Sequence, residues 1–67
     1  MKIVLNNNPE VFEGESMTVQ ELLSVKKYTF KMLIIKINDK LVPKDEYVKS
    51  RVRDGDEVMV LHLISGG

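Results

Sequence analysis

The chain has 67 residues with ten basic and ten acidic side chains, so it is one small domain of zero formal charge. This balance disfavours a non-specific nucleic-acid binder, which needs a basic excess. The lack of cysteine excludes disulfides, thiolate catalysis and cysteine-based metal sites, and a single histidine excludes a multi-histidine site. No apolar run is long enough for a membrane span or a signal peptide, so we expect a cytoplasmic location without membrane partners.

The beginning of the chain predicts a β-hairpin. Lys2–Asn6 alternates between apolar and polar side chains, which places Ile3 and Leu5 on one face. Asn6–Pro9 is a cluster of turn-forming residues, and Glu10–Glu13 then favours a short return strand.

A helix is predicted next, from Thr18 to near Lys27. Thr18 and Glu21 have the spacing of a capping box, in which each side chain accepts a backbone N–H of the first turn. Met17 and Leu22 occupy the positions of a hydrophobic staple. No glycine or proline follows directly, so the sequence marks the helix end only weakly.

Three further strands are predicted from the remaining apolar runs: Leu33–Ile37, Leu41–Val42 and Glu57–Ile64. Asn38-Asp39 and the stretch Arg53–Asp56 have the composition of turns. Lys44–Val52 is polar and is expected to be irregular, with a single helical turn at Lys44–Tyr47.

This order of elements predicts an α+β fold. A lone helix must bury its apolar stripe against one face of a sheet. The preference for right-handed crossovers then places the first and last strands side by side and parallel. We therefore expect the ubiquitin-like β-grasp arrangement over residues 1–64, a mixed four- to five-stranded sheet with one main helix on one face, followed by a tail at residues 65–67.

The alternation along Glu57–Ile64 predicts which side chains leave the core. Because Glu57 should not face the core, Val58 and Val60 are expected to be buried, and the residues between them to point away from the helix. Lys2 and Lys36 set the phase of the neighbouring strands in the same way. The sheet face opposite the helix is thus expected to form a docking surface for a partner protein, made of Val4, Ile34, Met59, Leu61 and Leu63. The alternative is that the last strand has the opposite phase, or that loops cover this face.

The sequence ends in Ser65, Gly66 and Gly67, directly after a predicted strand. Glycine has no Cβ and takes almost any backbone angle, so these residues are expected to form a thin, flexible arm. Such an arm could place its terminal carboxylate in a narrow active site of another protein. The plainer alternative is an ordinary frayed terminus.

Together these segments resemble the small sulfur-carrier proteins of thiamine biosynthesis. The matching segments are KIVLNNN, TVQELL, INDKLVPKDEY and RDGDEVMVLHLISGG. The resemblance implies a carrier without an active site or bound cofactor, whose Gly67 carboxylate is activated by an adenylating enzyme that uses ATP and magnesium. It also implies a sulfur donor, such as a cysteine desulfurase system, and a thiazole synthase that takes sulfur from the resulting thiocarboxylate.

Related functions stay open at this point. Ser65 before the diglycine is similar to the molybdopterin-type sulfur carriers, and Lys44 stands where the thiamine carriers often have arginine. A ubiquitin-like protein modifier and a plain β-grasp binding module would share the fold. His62 has no carboxylate at a spacing that would orient it, so it is expected to be structural rather than catalytic.

Overall fold

A computed structural model describes residues 1–28 and 32–62 of the chain. Within these residues there are seven strands: β1 (Lys2–Leu5), β2 (Asn8–Val11), β3 (Ser16–Thr18), β4 (Leu33–Ile37), β5 (Lys40–Val42), β6 (Arg51–Arg53) and β7 (Glu57–His62). One α-helix, α1, spans Val19–Val25, and a 3₁₀ turn, η1, spans Lys44–Glu46.

Five of the strands form one mixed sheet in the order β2-β1-β7-β4-β5. β1 and β7 run parallel, and the other neighbours run antiparallel. The predicted ubiquitin-like β-grasp fold is confirmed, including the parallel pairing of the first strand with the last. The predicted boundary between a domain at 1–64 and a tail at 65–67 lies outside the described residues and stays a prediction.

β3 and β6 form a second, two-stranded sheet that the sequence did not predict. Met17 lies opposite Val52 in this pair, and both side chains are buried. The expectation that Lys44–Val52 is irregular was therefore wrong at its end, although η1 confirms the single helical turn. Each of these strands has three residues and only one buried side chain, so neither is long enough to show an alternation of apolar and polar residues in the sequence.

The first hairpin turns more tightly than predicted. Asn6 and Asn7 form a two-residue turn with φ angles of 50° and 68°, a left-handed conformation that asparagine tolerates well. The return strand β2 therefore begins at Asn8, before the predicted Glu10. Pro9 lies inside β2, which is possible because β2 is at the edge of the sheet and needs no further partner.

The helix begins with the predicted capping box. The Glu21 N–H donates to Thr18 Oγ1 at 3.0 Å, and the Thr18 N–H donates to Glu21 Oε1 at 2.8 Å. The bond from the Thr18 backbone lowers the pKa of Glu21 below its ordinary value. The helix ends at Val25, slightly earlier than predicted, because Lys27 adopts a left-handed φ of 58° without the help of a glycine.

The core lies between α1 and the five-stranded sheet, and β3, β6 and Tyr47, the residue after η1, each add a buried side chain. Its buried apolar side chains are Ile3, Leu5, Met17, Val19, Leu22, Leu23, Ile35, Val42, Tyr47, Val52, Val58 and Val60. Burial raises the pKa of the Tyr47 phenol. One helix is sufficient to cover one side of the sheet, and the opposite side has no layer in the described part of the chain.

The turn before β7 joins three parts of the chain at one end of the sheet. Asp54 Oδ1 accepts the N–H of Lys2 at 2.7 Å, and Gly55 donates its N–H to the Lys2 carbonyl at 2.8 Å. Asp56 Oδ1 accepts from Nδ2 of Asn38, in the β4–β5 turn, at 3.0 Å. Gly55 has a left-handed φ of 87°, so its identity fits the turn. The Asp-Gly-Asp sequence therefore has a structural role.

Candidate functional site

The candidate site begins with β7, whose side chains alternate between the core and the opposite face. Val58 and Val60 are buried beneath α1, whereas Leu61 is 44% exposed and Met59 is half-buried. Glu57, the residue that set the predicted phase, is exposed. The predicted orientation of this strand is therefore correct.

Neighbouring strands bring further apolar side chains to the same face. The register places Ile34 of β4 opposite Leu61, and Val4 of β1 beside Glu57. Val4 is 37% exposed and Ile34 is half-buried. Four of the five predicted docking residues thus share one surface, here called the open face: Val4, Ile34, Met59 and Leu61. The fifth, Leu63, lies outside the described residues, and the docking role itself stays a prediction.

The open face extends further than the sequence predicted. Leu41 of β5 lies opposite Lys36 and is 63% exposed, and Val11 of β2 lies opposite Lys2 and is 75% exposed. Both side chains therefore continue the apolar surface to the two edges of the sheet. The signal for Leu41 was present in the sequence, since a two-residue turn at Asn38-Asp39 fixes its partner as Lys36.

Charged side chains interrupt this surface at defined points. Lys2 and Lys36 lie on the same face, on β1 and β4, and Glu57 lies beside Val4. The face therefore combines an apolar centre with two cations and one anion among the described residues.

β7 leads toward the diglycine from the end of the sheet opposite the Asp54–Asp56 turn. The last described residue, His62, lies opposite Leu33 of β4 and is exposed. Ser65, Gly66 and Gly67 lie outside the described residues. The structure therefore shows the strand that precedes the tail, and the predicted role of Gly67 stays a prediction.

The described residues contain no metal-binding cluster. Among residues 1–28 and 32–62, no three His, Asp or Glu side chains lie close enough to hold a metal ion. No helix in this part of the chain is both long and apolar enough to cross a membrane.

A mixed five-stranded sheet covered by one helix on one side and leaving an apolar face on the other defines the ubiquitin-like class of β-grasp proteins. The central strand of the sheet supplies part of the open face and then leads toward the diglycine. Met59 and Leu61 of the open face therefore belong to the same continuous segment of the sequence as the diglycine.

The chain belongs to the ThiS family, whose model matches residues 3–67. It is 28% identical to the sulfur carrier protein ThiS of Escherichia coli over 96% of this chain and 97% of that protein. It is 34% identical over its whole length to a thiazole synthase of Paramagnetospirillum magneticum, of which it spans only one fifth (20%). The crystal structure of the thiamine biosynthesis protein ThiS from Geobacter metallireducens superposes with a TM-score of 0.88 at 30% identity, with both chains fully covered.

These matches confirm the predicted family of thiamine-biosynthesis sulfur carriers. They also confirm that the chain is a small carrier protein rather than a catalyst, since its full-length curated relatives are named as carriers. The family match reaches Gly67 and therefore includes the diglycine.

Proposed function

We propose that this chain is a sulfur carrier of thiamine biosynthesis and that it carries sulfur as a thiocarboxylate on Gly67. The observation that carries the proposal is the match of the chain to the ThiS family, which runs through the diglycine. Of the functions left open by the sequence, this is the one that the relatives support.

The reactive group on this proposal is the carboxylate of Gly67. A carboxylate is ionised at pH 7 and is a poor electrophile, so it must first receive a better leaving group. An adenylating enzyme with ATP and magnesium supplies one: a carboxylate oxygen attacks the α-phosphorus of ATP, and pyrophosphate leaves. The product is an acyl-adenylate. The carrier contributes its chain end, and the partner contributes the nucleotide and the metal.

Sulfur enters in the next step. A persulfide, such as that of a cysteine desulfurase system, attacks the acyl carbon and breaks the bond to AMP, which gives an acyl disulfide. A thiol then splits the S–S bond, which leaves the thiocarboxylate on Gly67 and a disulfide on the donor side. Thiazole synthase is the proposed acceptor, and the similarity of this whole chain to part of a protein named thiazole synthase supports that partner.

We assign the docking of both enzymes to the open face. The face lies on the strand that leads to Gly67, so a partner that contacts Met59 and Leu61 is already close to the chain end. Burying exposed apolar side chains against a partner removes them from water, and this lowers the free energy of the complex. The cytoplasmic location favoured by the sequence remains a prediction alongside this one.

The decisive experiment is the intact mass of the chain after incubation with an adenylating enzyme, ATP, magnesium and a persulfide donor. We expect a gain equal to the replacement of one oxygen by sulfur, absent in a variant that lacks Gly66 and Gly67. An unchanged mass, with an enzyme proven active on another ThiS protein, would overturn the proposal. A ladder of higher-mass conjugates in cell lysate would instead indicate a protein modifier.

A further inference from the structure

β1 accompanies β7 along only the first part of its length. The parallel register ends where Leu5 lies beside Val58, and the Asn6 N–H donates to the Val58 carbonyl at 2.9 Å. The chain then turns away from β7 through Asn6 and Asn7. β7 itself continues to His62 alongside β4. The part of β7 that leads to the chain end therefore extends beyond the backbone of β1.

The side chain of Asn6 extends this pairing by one hydrogen bond. Its Oδ1 accepts the N–H of Val60 at 2.7 Å, in a partly buried position. In a continuing parallel ladder, a backbone carbonyl of β1 would accept this N–H. The backbone carbonyl of Asn6 is instead turned toward Asn8, whose Nδ2 donates to it at 3.2 Å. The side-chain oxygen thus replaces a backbone acceptor that the turn has removed.

We propose that Asn6 is a positioning residue for the sulfur-carrying end of the chain, acting through its hydrogen bond to Val60. The inference rests on the proposed function, since it concerns how Gly67 reaches the enzyme that activates it. Val60 is held on both sides, because its N–H donates to Asn6 and the residue lies opposite Ile35 of β4. Holding Val60 on both sides fixes the backbone of β7 in the described segment that precedes the chain end.

The local conformation explains why an asparagine serves here. Asn6 has a φ of 50°, a region that only glycine, asparagine and aspartate adopt at low cost. Glycine can adopt this backbone angle but has no side-chain oxygen to accept the N–H of Val60. Aspartate would keep both the angle and an oxygen at the same position. Comparing these two replacements therefore separates the effect of the turn conformation from the effect of the hydrogen bond to Val60.

The test compares Asn6→Gly with Asn6→Asp and with Asn7→Gly as a matched control. Asn7 has a similar φ of 68°, and its side chain makes no hydrogen bond within residues 1–28 and 32–62. Hydrogen exchange of the Val60 amide and the kinetics of thiocarboxylate formation are measured for all variants. For Asn6→Gly we expect faster exchange at Val60 and a kcat lowered roughly three- to tenfold. The KM should stay near that of the native chain, because the open face is unchanged.

Asn6→Asp and Asn7→Gly should each leave the hydrogen-exchange rate of the Val60 amide and the kcat of thiocarboxylate formation near their native values. If the native chain gains sulfur and Asn6→Gly gains it at the rate of Asn7→Gly, the positioning role is overturned while the proposed function stands. If the native chain gains no sulfur with a proven enzyme, the proposed function fails and the positioning role fails with it. Unchanged Val60 exchange in Asn6→Gly would also overturn the role, whatever the kinetics.

Discussion

Ile34 and Ile35 are adjacent in β4 and chemically identical, but their side chains lie on opposite faces of the sheet and are buried to different extents. Ile35 points toward α1 and is completely buried, whereas Ile34 points to the open face and is only half-buried. The same contrast holds in β7 between Val60 and Leu61. A chain this small has one helix to cover one side of its sheet, so apolar residues on the other side lie at the surface in the described part of the chain.

The largest effect that would test this contrast is on stability. Ile35→Ala should lower the free energy of unfolding by roughly 2–5 kcal/mol, because it leaves a cavity in the core. Ile34→Ala removes the same atoms from the half-buried face and should cost about 1 kcal/mol or less. Urea unfolding of the two variants measures both. Equal losses would mean that the open face is part of the core.

The next effect concerns the partner rather than the fold. Leu61→Ala should weaken binding to the adenylating enzyme about tenfold, the size of effect seen at central interface residues. Its free energy of unfolding should change by about 0.5 kcal/mol or less. Val48→Ala is a suitable control, because Val48 is also exposed but lies outside the sheet. Titration calorimetry compares the two, and equal affinities would remove Leu61 from the interface.

A smaller effect is expected at the start of the helix that covers the core. Thr18→Ala removes the side chain that caps α1 and should cost about 1 kcal/mol of stability. It leaves the open face unaltered, so partner affinity should stay the same. A melting curve together with calorimetry checks both expectations. Loss of affinity with native stability would contradict the separation of the two faces.

The smallest effect is a dependence on pH in the same capping box. The pKa of Glu21 is lower in the folded chain than its ordinary value of 4.5, so its ionised form stabilises the fold. That contribution is present above pH 4.5 and is lost as the pH falls through the folded-state pKa. Glu21→Gln should therefore show a shallower loss of stability in acid than the native chain. Identical acid unfolding curves would exclude this contribution.

The sequence predicted the open face because charged residues set the phase of each long strand. Glu57 and Lys36 could not face the core, which determined the orientation of Met59 and Ile34. It missed β3 and β6 because Met17 and Val52 are brought together from distant parts of the chain, and neither strand has enough residues to show alternation. Pro9 also made the predicted return strand begin too late. Proline argues against a strand except at a sheet edge, and only the assembled sheet shows which strands lie at its edges.

The role of Asn6 was beyond reach from the sequence for a similar reason. A run of three asparagines predicts a turn, and Asn6 and Asn7 form one. Which of their side chains lies beside Val60 depends on the parallel register of two strands more than fifty positions apart. No local pattern in the sequence contains that information. The hydrogen bond becomes visible only when the two strands are placed side by side.

The position of β7 has a consequence for how this protein is made. It is the last described strand to leave the ribosome, yet it lies between β1 and β4 in the middle of the sheet. Until it emerges, the hairpins β1–β2 and β4–β5 have no strand between them to join them into one sheet, and an isolated hairpin is marginally stable. The open face needs Met59 and Leu61, so it forms only after β7 has been made. A chain that stops short of its central strand therefore lacks the surface on which we propose that its partners dock.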